Sequence, residues 1–300
     1  MNDFFDATLR LAMPLILAAT GELVSERAGV LNLSLEGMML VGAFTGALGS
    51  YVSGNPLLGV LCAIAATVIF ALLQAFLSVS VQANQLVVGI GLNILALGIT
   101  TYAYREIFGA LSNEMVSGFE RLRIPGLHNL PGLGVLFEQN LLVYGGLVLM
   151  LITWFILDQT AWGLSIRAVG ENPRAADQMG LSVNAIRYYT VLFTGAMAGL
   201  AGAFLSLGDI HTFTENMTNG RGYLAIAAVI FGGWIGYRTL LACLLFGGAI
   251  ALQFQAQALG IGFPISLLVM LPYLLAFLAV TGFVGRHRPP AALAVPFNRS

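Results

Sequence analysis

"PLLGVLCAIAATVIFALLQAFLSV", residues 56–79, runs for 24 residues without a charge. Wound as an α-helix at ~1.5 Å per residue, such a run is about 36 Å long, enough to cross a hydrocarbon core of ~30 Å. Working outward from it, eight more apolar segments follow the same pattern, at about 7–24, 36–53, 84–104, 140–157, 188–207, 222–237, 240–258 and 264–283. The chain is 58% hydrophobic and only 9% charged, with a mean hydropathy of +0.87. That leaves too little polar sequence to coat a buried core, so a soluble domain is excluded. The expected fold is an all-α polytopic membrane protein of about nine helices, forming one transmembrane domain over residues 1–300. Two of the nine are weak as spans: the first contains Pro14, and the seventh has only about 16 residues between Gly222 and Gly236.

All 13 basic residues are arginine. Without lysine there is no Walker A motif and no Schiff-base chemistry. If the work of this chain is ATP-driven, another chain hydrolyses the ATP. Cys62 and Cys243 sit inside apolar runs and read as packing residues, and His128, His211 and His287 have no partner at metal-ligand spacing. No catalytic or metal site is expected. A net charge of −1 gives no footprint for nucleic acid. The opening "MNDFFDATLR" has no basic region of the kind that precedes a cleaved signal segment.

Arginine bias sets the expected orientation. With the 158–187 loop on the cytoplasmic side, Arg27, Arg167, Arg174, Arg187, Arg238, Arg286, Arg288 and Arg299 lie inside and five arginines outside, with residue 1 outside too. The outer loop, 105–139, contains "IPGLHNLPGLG" (124–134), whose Pro and Gly favour turns. It reads either as a contact for an external partner or as a tethered connector.

Two polar stretches interrupt the apolar pattern. "SERAGVLNLSLEGMML" (25–40) and "DIHTFTENMTNGRGYLAIAAVIFGG" (209–233) each set charged and amide groups directly before a membrane segment. A charge at the bilayer centre costs roughly 2.5–3.5 kcal/mol on insertion scales, so these groups belong beside water or partners. Short, Gly-interrupted apolar pieces in matching positions of two halves point to a transport site. A shift of 187 residues lays Gly21-Glu22 on Gly208-Asp209, Asn32 on Asn219, Phe44 on Phe231 and Gly49 on Gly236, and the two copies would have opposite orientation. Candidate pathway residues are Glu22, Asn32, Glu36, Asn216 and Arg221, with Asn93 as the deepest amide of its span. Gln74, Asn84, Gln85, Gln253 and Gln257 read mainly as interhelical hydrogen-bonding groups. "GAMAGLAGA" (195–203) spaces small residues for close helix packing.

The most charged connector is "RAVGENPRAADQMG" (167–180). Its pattern predicts two short helices at an angle: one ended by Gly170, the other capped by Asn172, opened by Pro173 and stopped at Gly180. An Arg167–Glu171 pair is within reach. A rigid charged knuckle suits docking to a cytoplasmic partner.

"GLSIRAVGENPRAADQMGLSV" (163–183) resembles the coupling-helix segment of ABC importer permeases of the ribose/simple-sugar and nucleoside branch. "GELVSERAGVLNLSLEGMML" (21–40) and "ENMTNGRGYLAIAAVIFGGW" (215–234) resemble that branch's two other signatures, the first in the form of the purine-nucleoside subfamily that works with BMP-type lipoproteins. The resemblance implies a type II ABC importer fold in a bacterial inner membrane and the shorter of two paired permeases, hence a heterodimer over a homodimer. It also implies a cytoplasmic ABC ATPase that uses ATP and Mg, and an external binding lipoprotein. Arg167, Glu171, Asn172, Pro173, Arg174, Asp177 and Gly180 would then form the ATPase-coupling surface, and no cofactor would be bound by this chain. Two alternatives stay open: a simple-sugar importer with the same machinery, and an ion-coupled transporter using Glu22, Glu36 or Asp209.

Overall fold

The computed structural model describes residues 2–109, 115–123, 137–259, 265–280 and 288–298. Eleven α-helices follow in order: α1 (Asn2–Arg27), α2 (Leu35–Ser53), α3 (Pro56–Ala75), α4 (Gln85–Phe108), α5 (Leu141–Gln159), α6 (Ala161–Glu171), α7 (Pro173–Gln178), α8 (Val183–Ala203), α9 (Arg221–Phe231), α10 (Gly236–Ala258) and α11 (Ile265–Val280). Helices α3 and α8 each end in a π-helical turn, Phe76–Ser80 and Phe204–Asp209. Among the described residues, seven helices are long and apolar enough to cross a membrane: α1–α5, α8 and α10. The remaining two apolar helices, Arg221–Phe231 and Leu267–Leu278, are shorter.

Helix α1 runs unbroken through Pro14 and forms a span from Phe4 to Arg27. Proline removes one backbone hydrogen bond, and neighbouring helices make such a break tolerable inside a membrane bundle. The stretch expected at 222–237 is instead an 11-residue helix, about 16 Å long, half of a bilayer core.

Helices α1, α2 and α8 carry the buried centre, with α10 against α1, whereas α3, α4 and α5 keep most of their apolar side chains exposed. In water such exposure would be an aggregation surface; here it is what lipid or a second membrane chain covers. The small residues of α8 do the close packing predicted for them. A side chain on Gly42 of α2 would lie 2.8 Å from the Cα of Gly199, and one on Gly199 would run into Thr67 of α3. With no hydrophobic drive between helices in lipid, this backbone proximity supplies the van der Waals contact that holds them.

The 105–139 loop contains a feature the sequence did not reveal: strand β1 (Arg121–Arg123) pairs antiparallel with β2 (Glu138–Asn140). The quoted "IPGLHNLPGLG", His128 and His287 lie outside the described residues. Ser117 and Arg121 fasten this loop to Ser50 of α2 and Asp6 of α1, so it caps the end of the bundle where α1 begins. Helices α6 and α7 sit at the opposite end, where α1 finishes.

Candidate functional site: two helix starts meeting inside the bundle

Helix α2 and helix α9 begin at the same place. Asn93 stands about 12 Å along α4 at ~1.5 Å per residue, well inside the bundle. Its Oδ1 accepts the N–H of Gly37 at 2.7 Å. Directly across, Glu36 Oε1 accepts the N–H of Gly220 at 2.8 Å and Oε2 that of Gly222 at 2.6 Å. From this junction α2 leads to Ser50 and the β1 loop, while α9 leads to Trp234 beside the end of α1. The two helices therefore run to opposite ends with their N-termini abutting.

That arrangement is electrostatically unfavourable without an anion. Each helix start carries a partial positive charge and unsatisfied N–H groups. Glu36, in the first turn of α2, supplies one carboxylate to both ends. Charge-assisted bonds of this kind contribute about 1.5–3 kcal/mol each. Gly222 must be glycine: a Cβ there would sit 2.6 Å from the Glu36 backbone.

The residues around the junction are tightly committed. Asn93 Nδ2 donates to Leu33 O at 2.8 Å and to the Tyr223 hydroxyl at 2.7 Å, so its amide holds the approach to α2 and aims Tyr223. The Tyr273 hydroxyl donates to Asn219 O at 3.1 Å. Both tyrosine rings remain open, at 45% and 43% exposure. Arg221 Nη1 donates to Met217 O at 2.8 Å. Its side chain borders an open groove of about 570 Å³ with Arg10, Asp209 and Phe254, and also a cleft of about 70 Å³ with Asn219, Gln253 and Tyr273. Asn216 is exposed in the turn before α9, in the left-handed conformation (φ 54°) that asparagine tolerates.

Glu22 and Asn32 do not take part in these bonds, although Asn32 Nδ2 reaches Met38 Sδ of α2 at 3.5 Å. Both are fully buried; Glu22 Oε1 accepts the Asn32 N–H at 2.9 Å, and Asn32 Oδ1 accepts the Ser34 hydroxyl at 2.6 Å. One turn on, Glu26 accepts the indole N–H of Trp234, and Arg27 Nε donates to the Trp234 carbonyl at 2.9 Å. These groups stitch the end of α1 to the loop before α2 and to the turn after α9. Of the six pathway candidates, the structure brings Glu36, Asn93 and Arg221 together and sets Asn216 nearby. Tyr223 and Tyr273 were not singled out from sequence, although Tyr223 stands beside Arg221-Gly222 in the quoted stretch.

At the other end, α6 and α7 form the expected knuckle, with α6 continuing one residue past Gly170. Asn172 Oδ1 accepts the Ala175 N–H at 3.1 Å, Pro173 opens α7, and Gly180 turns the chain at φ 87°. Glu171, Asn172, Arg174 and Gly180 are exposed; Arg167, Pro173 and Asp177 are partly so. Met179 stands out at 84% exposure. The Arg167–Glu171 ion pair does not form. Arg10 pairs with Asp209, Arg105 with Glu215 and Arg121 with Asp6, these three towards the opposite end. Glu215 there is held below the ordinary carboxylate value by its hydrogen bond from Arg105. No group of three or more His, Cys, Asp or Glu among the described residues is arranged to hold a metal.

A multi-span bundle with a polar junction at its centre and a charged two-helix knuckle at one end defines a membrane-embedded permease. Residues 4–280 match the family described as "Branched-chain amino acid transport system / permease component", and the chain belongs to it. It is 40% identical to the guanosine ABC transporter permease protein NupQ of Bacillus subtilis, covering 97% of this chain and 95% of that one. It is 41% identical to the putative glucose ABC transporter permease protein TsgC13 of Haloferax volcanii (85% and 78% covered). The nucleoside ABC transporter permease protein NupC of Lactococcus lactis is 32% identical (96% and 94% covered).

Proposed function

We propose that this chain is the shorter permease of a nucleoside-importing ABC transporter in the bacterial inner membrane. It works with a second, different permease, a cytoplasmic ATPase that hydrolyses ATP with Mg, and an external binding lipoprotein. The observation that carries this reading is the junction of α2 and α9, with two tyrosine rings open beside it. A nucleoside presents one flat π-face and one polar sugar. Base–aromatic stacking contributes about 1–3 kcal/mol per base and tolerates any base, whereas ribose needs hydrogen-bonding groups such as those beside Arg221.

In this reading substrate enters by the groove at Arg10, Asp209 and Arg221, passes Tyr273 and Tyr223, and leaves between the two permeases. Counted with α9 and α11, the chain has nine membrane segments, residue 1 outside and the α6–α7 knuckle inside. The opposed directions of α2 and α9 support the inverted repeat. Arg167, Glu171, Asn172, Pro173, Arg174, Asp177 and Gly180 form the face that the ATPase grips.

The glucose-permease relative keeps a sugar importer as the second reading. The two separate in proteoliposomes of the complete importer, tested with guanosine and with glucose. A nucleoside carrier takes up guanosine on ATP addition, and Tyr223→Ala lowers that uptake about tenfold, in keeping with the loss of one stacking contact. Glucose uptake, with guanosine ignored, selects the sugar reading. Uptake driven by an ion gradient without ATP rejects both.

A further inference from the structure

The segment after α11, residues 288–298, lies against the knuckle end of the bundle and touches four parts of the chain that are distant in sequence. Ala292 donates its N–H to Gly170 O at 2.9 Å, at the end of α6. Ala294 donates to Gly29 O at 3.0 Å, in the loop between α1 and α2. Val295 O accepts from Arg187 Nη1 at 2.9 Å, and Phe297 O from Gln82 Nε2 at 3.0 Å. The Phe297 ring is buried against Val169 of α6, Ala176 of α7 and Val183 of α8 in a small apolar cluster separate from the main core.

Two of these contacts are glycine-dependent. A side chain on Gly170 would collide with the Arg27 carbonyl, and one on Gly29 would lie 2.9 Å from the Ala292 carbonyl. Three backbones are thus pressed together: the end of α6, the end of α1 and the 288–298 segment. From Gly29 it is a short step to Leu33 and Ser34, which lead into Glu36 and the junction. Arg187 is buried, and its bond to Val295 is the one its guanidinium makes; Nε and Nη2 find no acceptor among the described residues. A buried cation held by one carbonyl fixes that carbonyl strongly.

We propose that residues 288–298 are a working part of the coupling apparatus: a strap that carries displacement of α6–α7 to the loop before α2, with Phe297 and Arg187 as its positioning residues. The knuckle itself ends at Gly180, and its exposed residues reach outward to a partner. Besides direct packing, the strap is what ties it to Gly29 and Gln82 at once. A movement of α7 that carries Ala176 pulls Phe297, which follows by three residues the turn at 291–294 whose Ala292 and Ala294 bond Gly170 and Gly29.

The proposal rests on the importer reading, and the test separates the two. The complete importer is reconstituted, and tritiated guanosine uptake and ATP hydrolysis are measured in the same vesicles for the parent, Phe297→Ala, Phe297→Leu and Gln82→Ala. The parent must first retain an ATPase and show ATP-dependent uptake; failure there overturns the importer reading and the strap with it. With that met, Phe297→Ala is expected to keep the ATPase bound and hydrolysing within about twofold while uptake per ATP falls about tenfold, the size of effect seen along coupling networks. Phe297→Leu, which refills the apolar cluster, restores the ratio, and Gln82→Ala lowers it about threefold. Uptake and hydrolysis falling in parallel would make the segment a brace and overturn the proposal. So would an unchanged ratio, or loss of the subunit from the membrane in both Phe297 variants with a normal ratio in Gln82→Ala.

Discussion

The junction at Glu36 and the knuckle at Glu171 are both polar patches in a greasy chain, and they are built in opposite ways. At the junction every polar atom of Glu36 and Asn93 is bonded within the chain, and what stays open is aromatic: Tyr223 and Tyr273. At the knuckle the buried side, Gly170, Val169 and Ala176, is held by the fold, and Asn172 serves as a cap, whereas Glu171, Arg174 and Met179 stay exposed. The lesson concerns where a charge stands. Inside the membrane a carboxylate is committed to the fold, because an unpaired one is too costly. Outside it, a carboxylate is left free for another molecule.

The largest expected effect breaks the junction. Glu36→Ala removes both charge-assisted bonds and leaves two helix starts facing each other, which costs about 3–5 kcal/mol and abolishes uptake. Thermal unfolding of the purified subunit in detergent measures the first, vesicle uptake the second. A variant with unchanged unfolding temperature would mean that the carboxylate is not committed as described. Next comes the knuckle: Glu171→Arg is expected to weaken ATPase retention about tenfold through charge repulsion while leaving subunit stability within about 0.5 kcal/mol. If stability fell as it does for Glu36, the contrast between the two regions would collapse. Asn172→Ala, which removes a helix cap, should cost about 1 kcal/mol in unfolding and loosen α7.

The smallest effect sits at the end where α1 begins. Arg105 holds Glu215 below its ordinary value, so their pairing stabilises the fold fully above the unfolded carboxylate value of about 4.3 and loses that contribution as pH falls through the lower folded value. Because both groups are exposed, the effect is small and salt-screened. Comparing the unfolding temperature of the parent and Glu215→Gln from neutral to acid pH should show the difference vanish at low pH and in high salt.

Seven of the nine expected spans, the close packing of Gly195 to Ala203 and the cap, proline and glycine of the knuckle were legible in the sequence, because each follows from hydropathy or from a local backbone preference. Glu36 was legible as a residue but not as a contact. Its partners lie 184 and 186 residues away, and nothing in the local pattern encodes a meeting of two helix starts. The same holds for Phe297, which reads as an ordinary residue near the end of the sequence until the fold brings it beside Val169. The absent Arg167–Glu171 pair shows the reverse error: a spacing that allows contact on a helix does not compel it, and here Glu171 stays exposed while the Arg167 Nε is buried.

Glu36 also sets a timetable. Ribosomes add about 5–20 residues per second, so the 184 residues between Glu36 and Gly220 take about 10–40 s to make. Throughout that interval the carboxylate exists and the N–H groups that clasp it do not. The 11-residue α9 is too short to span a bilayer in its own right, so its place beside Glu36 depends on the half already made. The first four helices of this subunit are therefore born waiting, and the bundle closes only when its second half arrives.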